Sequence, residues 1–374
     1  MQLLFNPSHE MALAANRQNF LPPRRIQQME EELKEFPWVW WEDDDGDVSV
    51  WGWNKCSKHT ILSRGVDASR LPSDDELERW RQLSDRSFSA AYLRLILHDL
   101  QQKGCSCSMV GSEMQILKSV EELERLSQSV PNALSDTYIV KLPFSSSGRG
   151  NFTGQLSDPR FLNRVKELLH RHGSVVLDRF YDKLLDFALE YDVKPDGEVL
   201  FLGYSVFEAS SQGRYGGNVV DSQPRLKALI EQYARQGIEA LADLHRQRLQ
   251  EQTAGRYRGF AGIDMMVVED DGERKIHPCV EINFRMNMGI VALRLFRKLE
   301  MLSRLVAEGK TYGDCVQRPD LRFLAFLSET DFNAFHFGDL YQLLRSSTRL
   351  PLSPRRDCGF QAFLQSGRLC LGFS

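Results

Sequence analysis

The sequence predicts a mixed α/β (α+β) fold of two or three packed units. Three observations predict it. Helical periodicity alternates with short apolar runs along the chain. Two pairs of alternating segments flank turn-rich stretches, Lys194-Pro-Asp-Gly197 and Glu269-Asp-Asp-Gly272. The length of 374 residues exceeds one ordinary domain.

Taken in order, residues 2–5 read as a buried strand ending at Asn6-Pro7, and Ser8 is placed to cap a helix over 10–16. A polar helix is expected over 24–35. Residues 38–41 and 48–53 flank an acidic turn with Gly46 and read as a hairpin. Five of the six tryptophans fall there, which fits a packed sheet edge or a partner interface. The polar stretch 71–85 reads as a connection into a new unit. Helices are expected over 88–102, 158–172 and 226–250, and beyond Val291. Strands are expected over 137–142, 174–177, 185–193, 199–207, 260–268, 274–282, 321–326 and 359–373.

Composition excludes several function classes. Lys+Arg is 47 and Asp+Glu is 51, giving a net charge of −4, so no nucleic-acid footprint is expected. No apolar run is long enough to span a membrane, and the first residues lack the pattern of a signal peptide. The seven cysteines are scattered, and Cys105 and Cys107 have no second pair or nearby histidine to complete a zinc site. A cytoplasmic protein is expected.

Two segments carry chemistry. In the first, a strand delivers Lys141 into a small polar loop, Ser145-Ser146-Ser147-Gly148-Arg149-Gly150. Serine and glycine let backbone amides approach a phosphate, and Lys141 and Arg149 add positive charge. The loop lacks the ending of a Walker A motif and the spacing of a dinucleotide fingerprint. Alone, it fits equally well a surface loop with a stray lysine. In the second, Glu281 and Asn283 are two apart on a strand and project from one face. Asp264 lies on the partner strand of the same hairpin. Two carboxylates and an amide oxygen suit Mg²⁺, and Mn²⁺ is an alternative. Arg285 continues the face and suits a carboxylate or phosphate.

Read together, these segments resemble the ATP-grasp superfamily, over about 84–294. The resemblance implies a pre-ATP-grasp α/β domain over 1–83 and a two-subdomain ATP-grasp fold with antiparallel sheets over 84–300, divided near 180. A C-terminal extension follows over 301–374. It implies that Lys141, Ser145, Ser146, Ser147 and Gly148 meet ATP phosphates, that Asp178, Arg179, Phe180 and Tyr181 form the adenine strand and hinge, and that Asp186 is the ribose acid. It implies Asp264, Glu281 and Asn283 as metal ligands, and Arg285, Lys141 and Arg149 as catalytic groups. Where the family begins this domain with Asp-Lys, this chain reads Asp85-Arg86, which keeps the charge but changes its geometry.

The implied reaction is an ATP- and Mg²⁺-dependent carboxylate–amine ligation through an acyl phosphate. A kinase sharing every one of these residues, or a nucleotide-binding module without turnover, remains open. The expected partners are a small carboxylate and a small amine. His9 and Glu10 follow the first strand and are substrate candidates, as are Arg214, Tyr215 and Asn218 in a glycine-rich loop. His170, His172 and His245 are expected on helix surfaces. The aromatic stretch 331–337 fits packing, closure of the substrate side or a homodimer contact.

Overall fold

The computed structural model describes residues 1–103, 108–129, 136–145, 148, 150–209, 215–234, 237–326, 349–351, 360–365 and 368–373. Its elements run β1 (Gln2–Leu4), α1 (His9–Ala15), α2 (Arg24–Glu32), α3 (Pro37–Trp40), β2 (Val48–Val50), α4 (Lys55–Ser63), α5 (Asp74–Leu83), α6 (Arg86–Lys103), β3 (Gln115–Leu117), α7 (Val120–Ser129), β4 (Thr137–Lys141) and β5 (Phe152–Gln155). They continue through α8 (Pro159–His172), β6 (Val175–Arg179), β7 (Asp182–Val193), β8 (Val199–Ala209), β9 (Tyr215–Val219), α9 (Gln223–Ala234), α10 (Ile238–Thr253), β10 (Gly259–Asp270), β11 (Glu273–Asn283), α11 (Met288–Ala307), α12 (Tyr312–Val316), β12 (Arg349–Pro351), β13 (Phe360–Gln365) and β14 (Arg368–Phe373).

Three sheets organise these elements. β1 and β2 pair in parallel. A four-stranded antiparallel sheet has the order β3-β6-β4-β5. An eight-stranded antiparallel sheet has the order β11-β10-β7-β8-β9-β14-β13-β12. Both hairpins expected at 194–197 and 269–272 are present, as β7–β8 and β10–β11. The apolar face of the large sheet, with Phe187, Leu189 and Tyr191 of β7, packs under α6, α9 and α10. Among the described residues no helix is long and apolar enough to cross a membrane.

Several expectations are corrected. The tryptophan run is not a hairpin strand. Pro37 opens a short helix, and Trp38, Val39 and Trp40 are all buried, without the alternation of a half-exposed strand. Their carbonyls are claimed by α11: Lys298 Nζ donates to the Trp38 and Trp41 oxygens at 2.9 and 2.7 Å, and Arg294 Nη1 donates to the Trp40 oxygen at 2.9 Å. Strand β2 instead joins β1, while Trp40 and Trp51 pack edge-on at 5.4 Å.

The stretch 71–85 contains helix α5, started by a reciprocal capping box between Ser73 and Glu76. The helix expected over 226–250 is two helices, and Gly237 at the start of the second has φ 109°, a left-handed value suited to glycine. Residues 321–326 lie in 3-10 turns, not a strand. His245 is buried and stacks on Tyr92 at 5.7 Å between ring centroids. The aromatic stretch 331–337 and the Cys105–Cys107 pair lie outside the described residues.

The 38–45 segment is held by a buried ion pair, Arg294 to Asp45, at 2.5 and 2.9 Å. Asp45→Ala should cost about 2–4 kcal/mol in chemical unfolding, because a buried guanidinium loses its main partner. Glu42, 3.5 Å from Arg294 Nε, keeps the loss below the upper end of such effects. A change under about 0.5 kcal/mol would show that the pair does not anchor this segment.

Candidate active site

Strand polarity builds the site. On β7, residues 185, 187, 189, 191 and 193 face the core or its edge, whereas Asp186, Ala188 and Glu190 share the other face. Asp264 pairs in register with Ala188 on one side and with Glu281 on the other. Ser205 pairs with Ala188 from β8, and Asn218 of β9 pairs with Phe207. The result is one polar face spanning β11, β10, β7, β8 and β9. It opens on a cleft of about 260 Å³ whose lining includes Glu10, Glu190, Asn218, Asp264, Glu281 and Arg285.

Within the cleft, Asn283 Nδ2 donates to Asp264 Oδ2 at 3.0 Å, and Arg285 Nη2 donates to Asn283 Oδ1 at 3.0 Å. Arg285 Nε ion-pairs with Glu10, bringing the N-terminal segment into the site. Arg86 Nη1 ion-pairs with Glu281, while its Nη2 donates to the Ser145 carbonyl and hydroxyl at 3.2 and 3.3 Å. Burial raises the Asp264 pKa well above the carboxylate range, and Glu281 and Glu190 push it further. For Glu10 burial also acts upward, but the Arg285 charge outweighs it and holds the carboxyl below its ordinary value.

The structure therefore brings together Asp264, Glu281, Asn283, Arg285, Glu10, Gly148, Tyr215 and Asn218 in one cleft, with Arg86 and Ser145 joined to it through Glu281. Lys141, Asp178, Arg179, Phe180, Tyr181 and Asp186 are outside the cleft lining. Lys141 Nζ is 2.6 Å from Asp178 Oδ2, and His277 Nε2 lies 3.4 Å from the same carboxylate, so this cluster ties the four-stranded sheet to β11. Burial would raise Asp178, but Lys141 and His277 reverse that and hold it far below the carboxylate range.

Arg179 pairs with Asp270 at 3.0 Å, Tyr181 bonds to Ser112, and Phe180 is among the exposed large apolar residues. Asp186 pairs with Lys183 at 2.5 Å. His9 is placed outside the main cleft: Asn54 Nδ2 lies 3.0 Å from its Nδ1, and burial lowers its pKa to about 4, with Glu10 opposing. Ser146, Ser147, Arg149 and Arg214 lie outside the described residues.

Sequence reasoning missed Glu190, Ser205 and Asn287. Glu190 is 1% exposed, and its carboxylate accepts from Ser205 Oγ and Asn287 Nδ2, both at 2.7 Å. Burial raises its pKa to about 7, and the two hydrogen bonds only partly offset this. Two signals were available. Glu190 continues the even-numbered polar face of β7, and Asn287 extends the alternation Glu281, Asn283, Arg285 by one more step.

No family profile matches the sequence, and no curated protein resembles it by sequence. Solved structures do resemble it. A biotin carboxylase from Campylobacter jejuni shares 14% identity with a TM-score of 0.43, over 79% of this chain and 67% of that one. The N5-carboxyaminoimidazole synthetase of Staphylococcus aureus shares 12% with a TM-score of 0.38, over 65% and 54%. D-alanyl-alanine synthetase A of Vibrio cholerae shares 12% with a TM-score of 0.37, over 60% and 61%. This chain thus spans about half to two thirds of the length of these proteins. They are ATP-grasp enzymes, the family that the motifs resemble. At such identities and TM-scores no activity passes from them to this chain.

The Glu190 carboxyl gives a pH signature in protein free of divalent cations. Its folded pKa of about 7 exceeds its ordinary value of 4.5. Its contribution to stability is fully present below 4.5 and fades as pH rises through 7. Wild type should therefore lose about 2–3 kcal/mol relative to Glu190→Gln between pH 4.5 and 7.5. Parallel stability–pH curves for the two proteins would contradict the burial of this acid.

Proposed function

We propose that this chain is an ATP- and Mg²⁺-dependent ligase of the ATP-grasp type, joining a small carboxylate to an amine. The observation that carries the reading is the cross-strand pairing of Asp264 with Glu281, with Asn283 bonded to Asp264 and Arg285 beside them, at the mouth of a cleft. Residues 1–83 and 84–300 are read as the pre-ATP-grasp and ATP-grasp domains.

The residues fit a hard divalent cation. Among the described residues no three His, Cys, Asp or Glu side chains group as a metal site. The expected set instead has two carboxylates and an amide, all oxygen donors. Asp264 is pushed toward protonation by burial and by its acidic neighbours, a cost that a cation removes. Asp264, Glu281 and Asn283 would hold it, and bound Mg²⁺ would neutralise phosphate charge during transfer.

The chain's own groups supply the rest. Arg86 provides positive charge toward the phosphates beside Ser145, Gly148 lines the cleft, and Lys141, held by Asp178 outside the cleft lining, would leave that pair to reach them. Arg285 orients the substrate carboxylate from the opposite side of the acids. That carboxylate takes the terminal phosphoryl group of ATP and ADP leaves. The amine, as its free base, then attacks the acyl carbon, phosphate departs with the electrons of the broken C–O bond, and the surplus N–H proton is lost to the departing phosphate. Positioning and charge neutralisation suffice, and no protein nucleophile is required.

Phosphate release from Mg²⁺·ATP, screened across paired carboxylates and amines, tests the reaction class. Glu281→Gln keeps the shape of the site and removes one ligand charge. It should cost far more in turnover, on the order of 10²-fold, than in stability, because the weakened Arg86 pair is offset by relief of the repulsion between Glu281 and Asp264. A variant with wild-type unfolding and full ATP-dependent activity would overturn the ligase reading. Lys141→Ala is a less clean test, because it strands the buried Asp178 charge and costs stability as well.

A further inference from the structure

We propose that Glu190 binds the amine substrate in its ammonium form, a primary ammonium carrying an apolar substituent, and takes one N–H proton to free the nitrogen lone pair for attack. The inference rests on the ligase reading and specifies its amine.

Three acids at or next to the site already have a counter-charge, and a fourth has a proposed role. Glu10 pairs with Arg285, Glu281 with Arg86 and Asp178 with Lys141, while Asp264 sits with Asn283 in the proposed metal set. Glu190 lines the cleft and has no ion-pair partner among the described residues. Its two hydrogen-bond donors, Ser205 and Asn287, are both neutral. Among the described residues Glu190, Asp264 and Glu281 do not form a three-acid metal group.

The backbone is shaped around this carboxylate. A Cβ at Gly289 would lie 1.9 Å from Glu190 Oε1, and one at Gly262 would lie 2.6 Å from Oε2. Both positions exclude a side chain so that the acid can sit at the cleft floor. A buried acid bonded only to neutral donors is a costly arrangement, which the more distant Arg285 charge offsets only in part and an ammonium ligand relieves. An ammonium donates three N–H groups, and the carboxylate keeps lone pairs beyond those used by Ser205 and Asn287.

The rest of the cleft describes the remainder of the ligand. Ile26, Met29, Phe207 and Met288 line it with apolar surface. Asn218 is 1% exposed and also lines it, yet its Nδ2 finds no acceptor among the described residues. An unpartnered buried donor in a cleft suits an oxygen of a water or of the carboxylate co-substrate beside the amine.

The test uses the full chain and calorimetric titration. Isoamylamine and phenethylamine are compared with 3-methyl-1-butanol and 2-phenylethanol, which keep the apolar group and replace the ammonium. Wild type should bind each amine at least about tenfold more tightly than its alcohol, and Glu190→Gln should lose about tenfold or more in amine affinity. Absent amine binding, equal affinity for amine and alcohol, or an unchanged Glu190→Gln protein each overturns the proposal. A variant that keeps its amine affinity but loses Mg²⁺ affinity also overturns it, by showing the acid to be a metal ligand. If the variant does not fold, the amine–alcohol comparison on wild type decides. Titration of wild type with Mg²⁺·ATP is read separately. Its failure sinks the ligase reading while leaving the amine result interpretable.

Discussion

Buried carboxylates cannot stay ionised side by side without compensation, and this constraint organises the cleft. Asp264, Glu281 and Glu190 share one face of three adjacent strands. Compensation arrives from every side: Arg86 from the start of α6, Arg285 from the end of β11, Ser205 from β8 and Asn287 from the start of α11. Asn287 serves twice. Its Oδ1 accepts from Ile290 N at 3.0 Å, capping α11, while its Nδ2 holds Glu190. Helix and acid are therefore positioned by one side chain, and Gly289 lets them approach.

The N-terminal segment completes the wall rather than lying beside it. Glu10 reaches Arg285, and the backbone N–H of Met286 donates to the Trp51 carbonyl at 2.9 Å. Farther along α11, Arg294 and Lys298 bind the carbonyls and acids of the 38–45 segment. One helix thus fixes the tryptophan cluster at its middle and Glu190 at its start. Burial lowers the Lys298 pKa to about 7, so the two tryptophan carbonyls that it binds are held at the expense of a desolvated amine. That cost is tolerated because the carbonyls would otherwise be buried without donors.

What was legible in the sequence follows from how local each signal is. Period-two polarity placed Glu281 and Asn283 on one face, and the hairpin turn brought Asp264 across from the partner strand, both local signals that need no tertiary information. The β7–β8 and β10–β11 hairpins were legible through their turn residues. The tryptophan segment was not, because its conformation is decided by Lys298 and Arg294, more than two hundred residues away in sequence. The helix at Asp74–Leu83 was hidden by its polarity, although Ser73 and Glu76 carry the capping signature. Glu190 was overlooked for a different reason: an acid on a strand reads as solvent-facing until its neighbours are known. Only the pairing with Gly262 and Gly203 shows it beneath the cleft. His245 misled in the same way, since its helix looks polar while this one side chain packs on Tyr92.

Arg86 shows why a substituted motif can still fit its site. An arginine presents five donors on a rigid planar fork, whereas a lysine presents one compact ammonium. Here the fork divides. One nitrogen pairs with Glu281, and the other holds the carbonyl and hydroxyl of Ser145. The Arg86 backbone N–H also donates to the Pro143 carbonyl at 2.9 Å. The first residue of α6 is thereby tied to the loop after Lys141 and to Glu281 on β11 at once. A lysine at this position could meet Glu281 or Ser145 but could not span both with planar geometry. The arginine therefore exchanges a mobile point charge for a fixed brace between the phosphate-loop candidate and the metal-site candidate. Both terminal nitrogens of the fork are thus committed to protein oxygens, and the brace is complete within the chain itself.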